Sequence, residues 1–168
     1  RHRGVLQLIH AIVEHSNPLK ALAAPPHPDG LGEALVRLRR IVRPGSLVFC
    51  LSDFSTLNED SGNDLLRLRQ HNDLVAMQIT DPIETTAPPP GRYSVTDGQT
   101  QGMLDTGSRA GRQHYREFFD GRQQHLLQLM LKRGVPLLQL STKDNVVEAL
   151  QLRFASRRQR PATQGARA

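Results

Sequence analysis

The sequence predicts an α/β fold: three layers, a mainly parallel sheet with helices on both faces, expected to be incomplete on its N-terminal side. Three observations carry this reading. Leu47 to Leu51, Leu74 to Ile79 and Val135 to Leu140 are short apolar runs, as in strands buried on both faces. Segments with helical apolar spacing precede, separate and follow them, an order that implies right-handed crossovers and parallel pairing. Three strands make a small sheet and the chain opens on Arg1, so it reads as the C-terminal part of a larger doubly wound domain.

In chain order, Val5, Leu8, Ile9, Ile12 and Val13 form one face of a first helix, which Asn17-Pro18 breaks. A proline-rich loop leads to Asp29, placed to cap a second helix with Leu31, Ala34, Leu35, Leu38 and Ile41 on one side and its arginines mostly outward. Pro44-Gly45 ends that helix, and the first strand begins at Leu47. Asp64 to His71 is the next helix and Leu74 to Ile79 the next strand, closed by Thr80-Asp81-Pro82. Gly91 to Asp105 reads as a hairpin around the turn pair Asp97-Gly98. Gly111 to Arg133 is the longest helix, with Tyr115, Phe118, Phe119, Leu126, Leu127 and Met130 expected inward. The strand Val135 to Leu140 and a helix from Asn145 to about Phe154 complete the fold.

At 168 residues the chain is about one domain, expected over 1–156, with a basic, disordered tail over 157–168. Its 38% hydrophobic and 23% charged residues exclude collagen-like, mucin-like and wholly disordered chains. No apolar run is long enough for a membrane-spanning helix, and Gln7 and His10 interrupt the first apolar stretch, so a signal peptide is not expected. The net charge of +6 is local: five arginines and no acid lie between Gln151 and Ala168, leaving 17 basic against 16 acidic residues elsewhere. A solvated tail is the first reading, and attraction to nucleic acid the alternative, weakened by the lack of aromatic residues after Phe154. The single cysteine, Cys50, cannot form an internal disulfide, and a reducing, cytoplasmic setting is the simplest expectation.

Ligands of open parallel sheets bind beyond the carboxyl ends of the strands. Those ends carry Ser52-Asp53, Thr80-Asp81 and Ser141-Thr142, a rim of oxygen ligands suited to Mg²⁺ or Mn²⁺. The competing reading is structural: Ser141-Thr142 are expected to cap the following helix, and Asp81 beside Pro82 to structure its loop. Asp105-Thr106-Gly107-Ser108 matches the signature of aspartic proteases. Those enzymes need two such loops. One copy before a helix fits a turn with a Thr106 or Ser108 cap better. The seven histidines lack helical metal-site spacing, and neither a nucleophile elbow nor a phosphate loop occurs. Cys50, buried mid-strand, is a poor nucleophile.

The segment Gly45-Ser46-Leu47-Val48-Phe49-Cys50-Leu51-Ser52-Asp53-Phe54 resembles the most recognisable stretch of a bacterial family called "domain of unknown function 58", whose members are von Willebrand factor A-like. Asp73 to Ile79 with Thr80-Asp81-Pro82-Ile83-Glu84 resembles that family's next strand and its Asp-Pro-x-Glu turn. Pro90-Gly91, Val95-Thr96-Asp97-Gly98 and Leu104-Asp105-Thr106 continue the likeness in order. The resemblance implies a metal site built from an Asp-x-Ser-x-Ser on a first strand, a Thr in a later loop, and an Asp after a fourth strand, which Asp53 matches. The Thr loop would fall at His27-Pro28-Asp29-Gly30, where no Thr stands, and the first strand is not in this chain. Asp53-Phe54-Ser55-Thr56-Leu57 half-matches the first motif, with Leu57 at the wrong position. The metal set is therefore degenerate: Asp53 with Ser52, Ser55 and Asp81, and weak or absent binding is expected.

The resemblance implies a non-enzymatic interaction domain whose partner is a MoxR-type AAA+ ATPase acting in chaperone-like assembly of complexes. The alternatives are a metal-dependent hydrolase using the Asp53/Asp81 rim and a nucleic-acid binder acting through the basic tail.

Overall fold

A computed structural model describes residues 2–16, 29–96 and 100–158. Six helices and five strands lie in it: α1 (His2–His15), α2 (Gly30–Ile41), β1 (Leu47–Ser52), α3 (Glu59–Arg69), β2 (Asp73–Thr80), α4 (Pro82–Thr85), β3 (Arg92–Thr96), β4 (Gln101–Asp105), α5 (Arg109–Lys132), β5 (Leu137–Ser141) and α6 (Val146–Arg158). The main sheet has the order β1-β2-β5 with both pairs parallel, and β3 and β4 form a separate antiparallel hairpin. Asp97-Gly98, His27-Pro28 and the tail beyond Arg158 lie outside the described residues.

Side chains alternate across the sheet and divide the interior into two cores. On one face Val48, Cys50, Leu74 and Ala76 pack with Leu35 of α2, Leu65 and Leu68 of α3, and Leu126, Leu129 and Met130 of α5. On the other, Val75, Met77 and Leu140 pack with Ala149 and Leu150 of α6. This is a three-layer arrangement, with a thin third layer.

The thinness corrects one expectation. β1 is buried on one face only: Leu47, Phe49 and Leu51 are 61%, 43% and 63% exposed. The α6 core residues meet β2 and β5, and β1 lies beyond their reach at the edge of the sheet. The apolar stripe of α1 (Val5, Leu8, Ile9, Ile12, Val13) is exposed as well. In α5 the inward set is Leu126, Leu129 and Met130, whereas Phe118 and Leu127 face solvent. The helix outruns the sheet it covers, so only its C-terminal half meets the core.

Local chemistry sets the junctions. α3 begins five residues earlier than its apolar pattern indicates, because Asn58 and Ser61 form a capping box: each side chain meets the other's backbone N–H at 2.9 Å. Arg39 of α2 is not simply outward, since its Nη1 donates to Asp64 of α3 at 2.6 Å. At the end of α5, Gly134 takes φ +61°, and Val135 N donates to Met130 O, which turns the chain toward β5. Arg133, only 4% exposed, reaches from there to the backbone and carboxylate of Glu59. That contact, led by the Arg133 hydrogen bond, holds the Glu59 carboxyl below its ordinary value. α6 extends to Arg158, past the expected end near Phe154, so residues 157 and 158 are helical.

Candidate functional site

The three strands run parallel and end on one edge, so Ser52-Asp53, Thr80-Asp81 and Ser141-Thr142 share that edge as the sequence predicts. Their side chains do different work.

Around Asp53 the chain makes a tight turn. Phe54 N donates to Ser52 Oγ at 3.0 Å, and Ser55 N donates to Asp53 Oδ1 at 3.1 Å. Between them Phe54 takes φ +55°, a left-handed conformation that costs a bulky residue about 1–3 kcal/mol. Its ring lies in the core beside Leu57 and Leu126, and that burial holds the turn against the strain. Asp53 is left exposed at the mouth of a cleft.

That cleft, about 320 Å³, lies between the ends of β1, β2 and β5 and the flank of α5. Its floor is a trio of amides. Gln78, buried on β2, exchanges hydrogen bonds of 2.8 and 3.1 Å with Gln123 of α5, and its carbonyl also accepts from Gln139 of β5 at 3.2 Å. Phe54, Phe119 and Leu126 form apolar wall, while Asp53, Glu84, Asp120 and Asp144 bring carboxylates to the lining. Arg122 also lines it, with its guanidinium over the Phe118 ring, 5.6 Å from the centroid.

Asp81 is occupied differently. Its Oδ1 accepts from Ile83 N at 3.0 Å, and Glu84 accepts from Asp81 N at 3.0 Å, so the pair boxes the start of α4. Its Oδ2 accepts from Thr142 Oγ1 at 2.9 Å. The Ile83 N–H first, then the Thr142 hydroxyl, hold the Asp81 carboxyl below its ordinary value. Asp144 closes the neighbouring loop by accepting from Ser141 N at 2.8 Å.

The resemblance implies a divalent cation at Asp53, and the residues present do not fit one. Mg²⁺ takes six oxygens in near-octahedral geometry. Asp53 Oδ1 already accepts from Ser52 Oγ and Ser55 N, and Ser52 Oγ itself accepts from Phe54 N. Both Asp81 oxygens are engaged, and among the described residues no three His, Cys, Asp or Glu side chains gather as a metal cluster.

The Asp105-Thr106-Gly107-Ser108 motif is structural. Thr106 is fully buried, accepts from Gly91 N and donates to Pro89 O at 2.7 Å. Asp105 accepts from Gly107 N and faces Arg92 at 3.6 Å, and Ser108 caps α5 through Gly111 N. A Cβ on Gly111 would stand 1.9 Å from Asp105 O, so only glycine fits there. Cys50 is buried, and that burial raises its thiol pKa.

Neither motif nor spacing marks the amide trio in the sequence. A signal was present at Gln78, a polar residue inside an apolar strand that the structure buries, whereas Gln139 is exposed on its strand.

Among the described residues no helix is long and apolar enough to cross a membrane. No curated protein and no solved structure matches the chain. The family model described as "Protein of unknown function DUF58" matches residues 2–125, most of the chain, from α1 into the second half of α5. That span contains the Ser52–Ser55 turn and two of the three amides of the cleft floor, and on it the chain belongs to the DUF58 family.

Proposed function

We propose that this chain is a non-enzymatic, von Willebrand A-like interaction module, cytoplasmic, whose contact rim is the carboxyl end of the sheet around Asp53. Its partner in this reading is a MoxR-type AAA+ ATPase, with which it acts in chaperone-like assembly of complexes. The observation that supports the rim is the strained turn at Phe54. A bulky residue at φ +55°, anchored in the core, holds an exposed carboxylate in place at the cleft mouth. Backbone strain of this kind concentrates at functional positions.

The hydrolase alternative needs Asp81 as a free carboxylate, and both of its oxygens serve the α4 cap and Thr142. The tail reading gains no support from the described residues, which end at Arg158.

The test is co-purification of the tagged chain with a MoxR-type ATPase from the same cell, beside Asp53→Ala. Capture of the ATPase by the parent chain, at least 10-fold weaker with Asp53→Ala, is the expected result. Equal capture by both proteins removes Asp53 from the interface, and no capture removes the partner.

A further inference from the structure

We propose that the cleft at the carboxyl end of the sheet receives a basic side chain, arginine or lysine, from a protein partner. The inference rests on the interaction-module reading and adds the chemistry of the contact. It stands first on shape and composition rather than on the carboxylates. The cleft is about 320 Å³, within the range of sites that take small ligand groups. Phe54, Phe119 and Leu126 offer apolar wall for an aliphatic stem or a guanidinium plane.

The amide floor supplies the polar end. Gln78 is 5% exposed and is held in place by hydrogen bonds to half-buried Gln123 and exposed Gln139, so the buried amide at the centre of the trio is fixed. Each amide carbonyl has two acceptor positions. The Gln78 carbonyl is filled by two donors, so the acceptor left at the cleft is the second position of the Gln123 carbonyl, whose first accepts from Gln78. A positively charged donor group is the natural complement to that acceptor beside carboxylates.

Charge sets the sign. Asp53, Glu84, Asp120 and Asp144 line the cleft against Arg122 alone, and Arg122 is already placed over Phe118. Lys143 lies outside the lining and faces Asp81, which is also held by Thr142. An acidic side chain would meet repulsion from four carboxylates. A basic one is drawn in, with an attraction that salt screens. The cleft therefore differs from a rim at which a bound cation bridges to a partner's acid.

The experiment is side-chain amide NMR on the 168-residue chain, titrated with methylguanidinium, butylammonium, methylurea and acetate. The two cations are expected to shift the amide signals of Gln78 and Gln123 with dissociation constants of about 1–10 mM, as suits probes of a few heavy atoms. Methylurea and acetate are expected to bind at least 10-fold more weakly. Asp53→Asn with Asp120→Asn, two exposed positions, is expected to weaken cation binding about 10-fold while the backbone spectrum stays dispersed. Shifts as large with methylurea or acetate overturn the proposal, as does an absence of shifts at these amides. The result is separable from the partner assignment: failed ATPase capture with intact cation binding removes the ATPase and leaves the cleft chemistry standing.

Discussion

Thr142 Oγ1 donates to Asp81 Oδ2 at 2.9 Å, joining residues 61 apart in sequence across the ends of β2 and β5. Together with the Ile83 N–H on Oδ1, it commits both oxygens of the carboxylate to holding the sheet edge and the start of α4. Asp53, at the end of the neighbouring strand, keeps an exposed side chain at the cleft. Two aspartates that look alike in sequence thus have different tasks.

The first prediction follows from this division. Asp81→Ala is expected to lower the melting temperature by a few degrees. Its effect should be non-additive with that of Thr142→Val in a double-mutant cycle, because the two share one hydrogen bond. The carboxyls of Asp81 and Glu59 titrate below their ordinary values in the folded chain, so the unfolded chain binds protons first as pH falls. Their stabilisation is complete above the ordinary carboxylate range of about pH 4 and is lost as pH drops through the lowered folded values. Denaturation midpoints should decline in that window, less steeply for Asp81→Asn. An unchanged slope would remove Asp81 from the acid response.

The second concerns Thr106. Its buried hydroxyl serves Gly91 N and Pro89 O, and Thr106→Val leaves both backbone groups without that partner. The expected loss is about 1–3 kcal/mol in urea denaturation, while Thr106→Ser, which keeps the hydroxyl, costs less. A loss in Thr106→Ser with none in Thr106→Val would show that the methyl group matters and the hydroxyl does not.

The third concerns metal. Asp53 with Ser52 and Ser55 leaves Mg²⁺ mostly water-ligated, so calorimetric titration with Mg²⁺ or Mn²⁺ is expected to show millimolar or weaker binding, about 4 kcal/mol or less. Micromolar binding abolished by Asp53→Ala would mean that the oxygen set around Asp53 is sufficient after all.

Helix and strand order was legible because periodicity and turn residues act locally. The start of α3 was legible too, in the Asn58-to-Ser61 spacing, but the apolar pattern draws the eye to Leu65 and Leu66 instead. Misplacement of Phe118 and Leu127 has another origin. Helical spacing tells which side chains share a face, while which half of α5 meets the sheet depends on strand length and packing. The same limit applies to β1, whose apolar run is that of a doubly covered strand although one face is open.

By itself the sequence determined the α/β order, the strand ends that carry Asp53 and Asp81, the burial of Cys50 and the Ser108 cap of α5, since all follow from local spacing and backbone chemistry. The Asp29 side chain makes no cap hydrogen bond, and Asn145 rather than Ser141-Thr142 caps α6. The tertiary structure alone decided that Asp81 is bound to Thr142, that Phe54 is strained around Asp53, and that Gln78, Gln123 and Gln139 meet in one cleft. Each of these joins residues brought together by the parallel register of β1, β2 and β5 or by the docking of α5. Contacts of that kind depend on packing between elements distant in the chain, which no local pattern encodes.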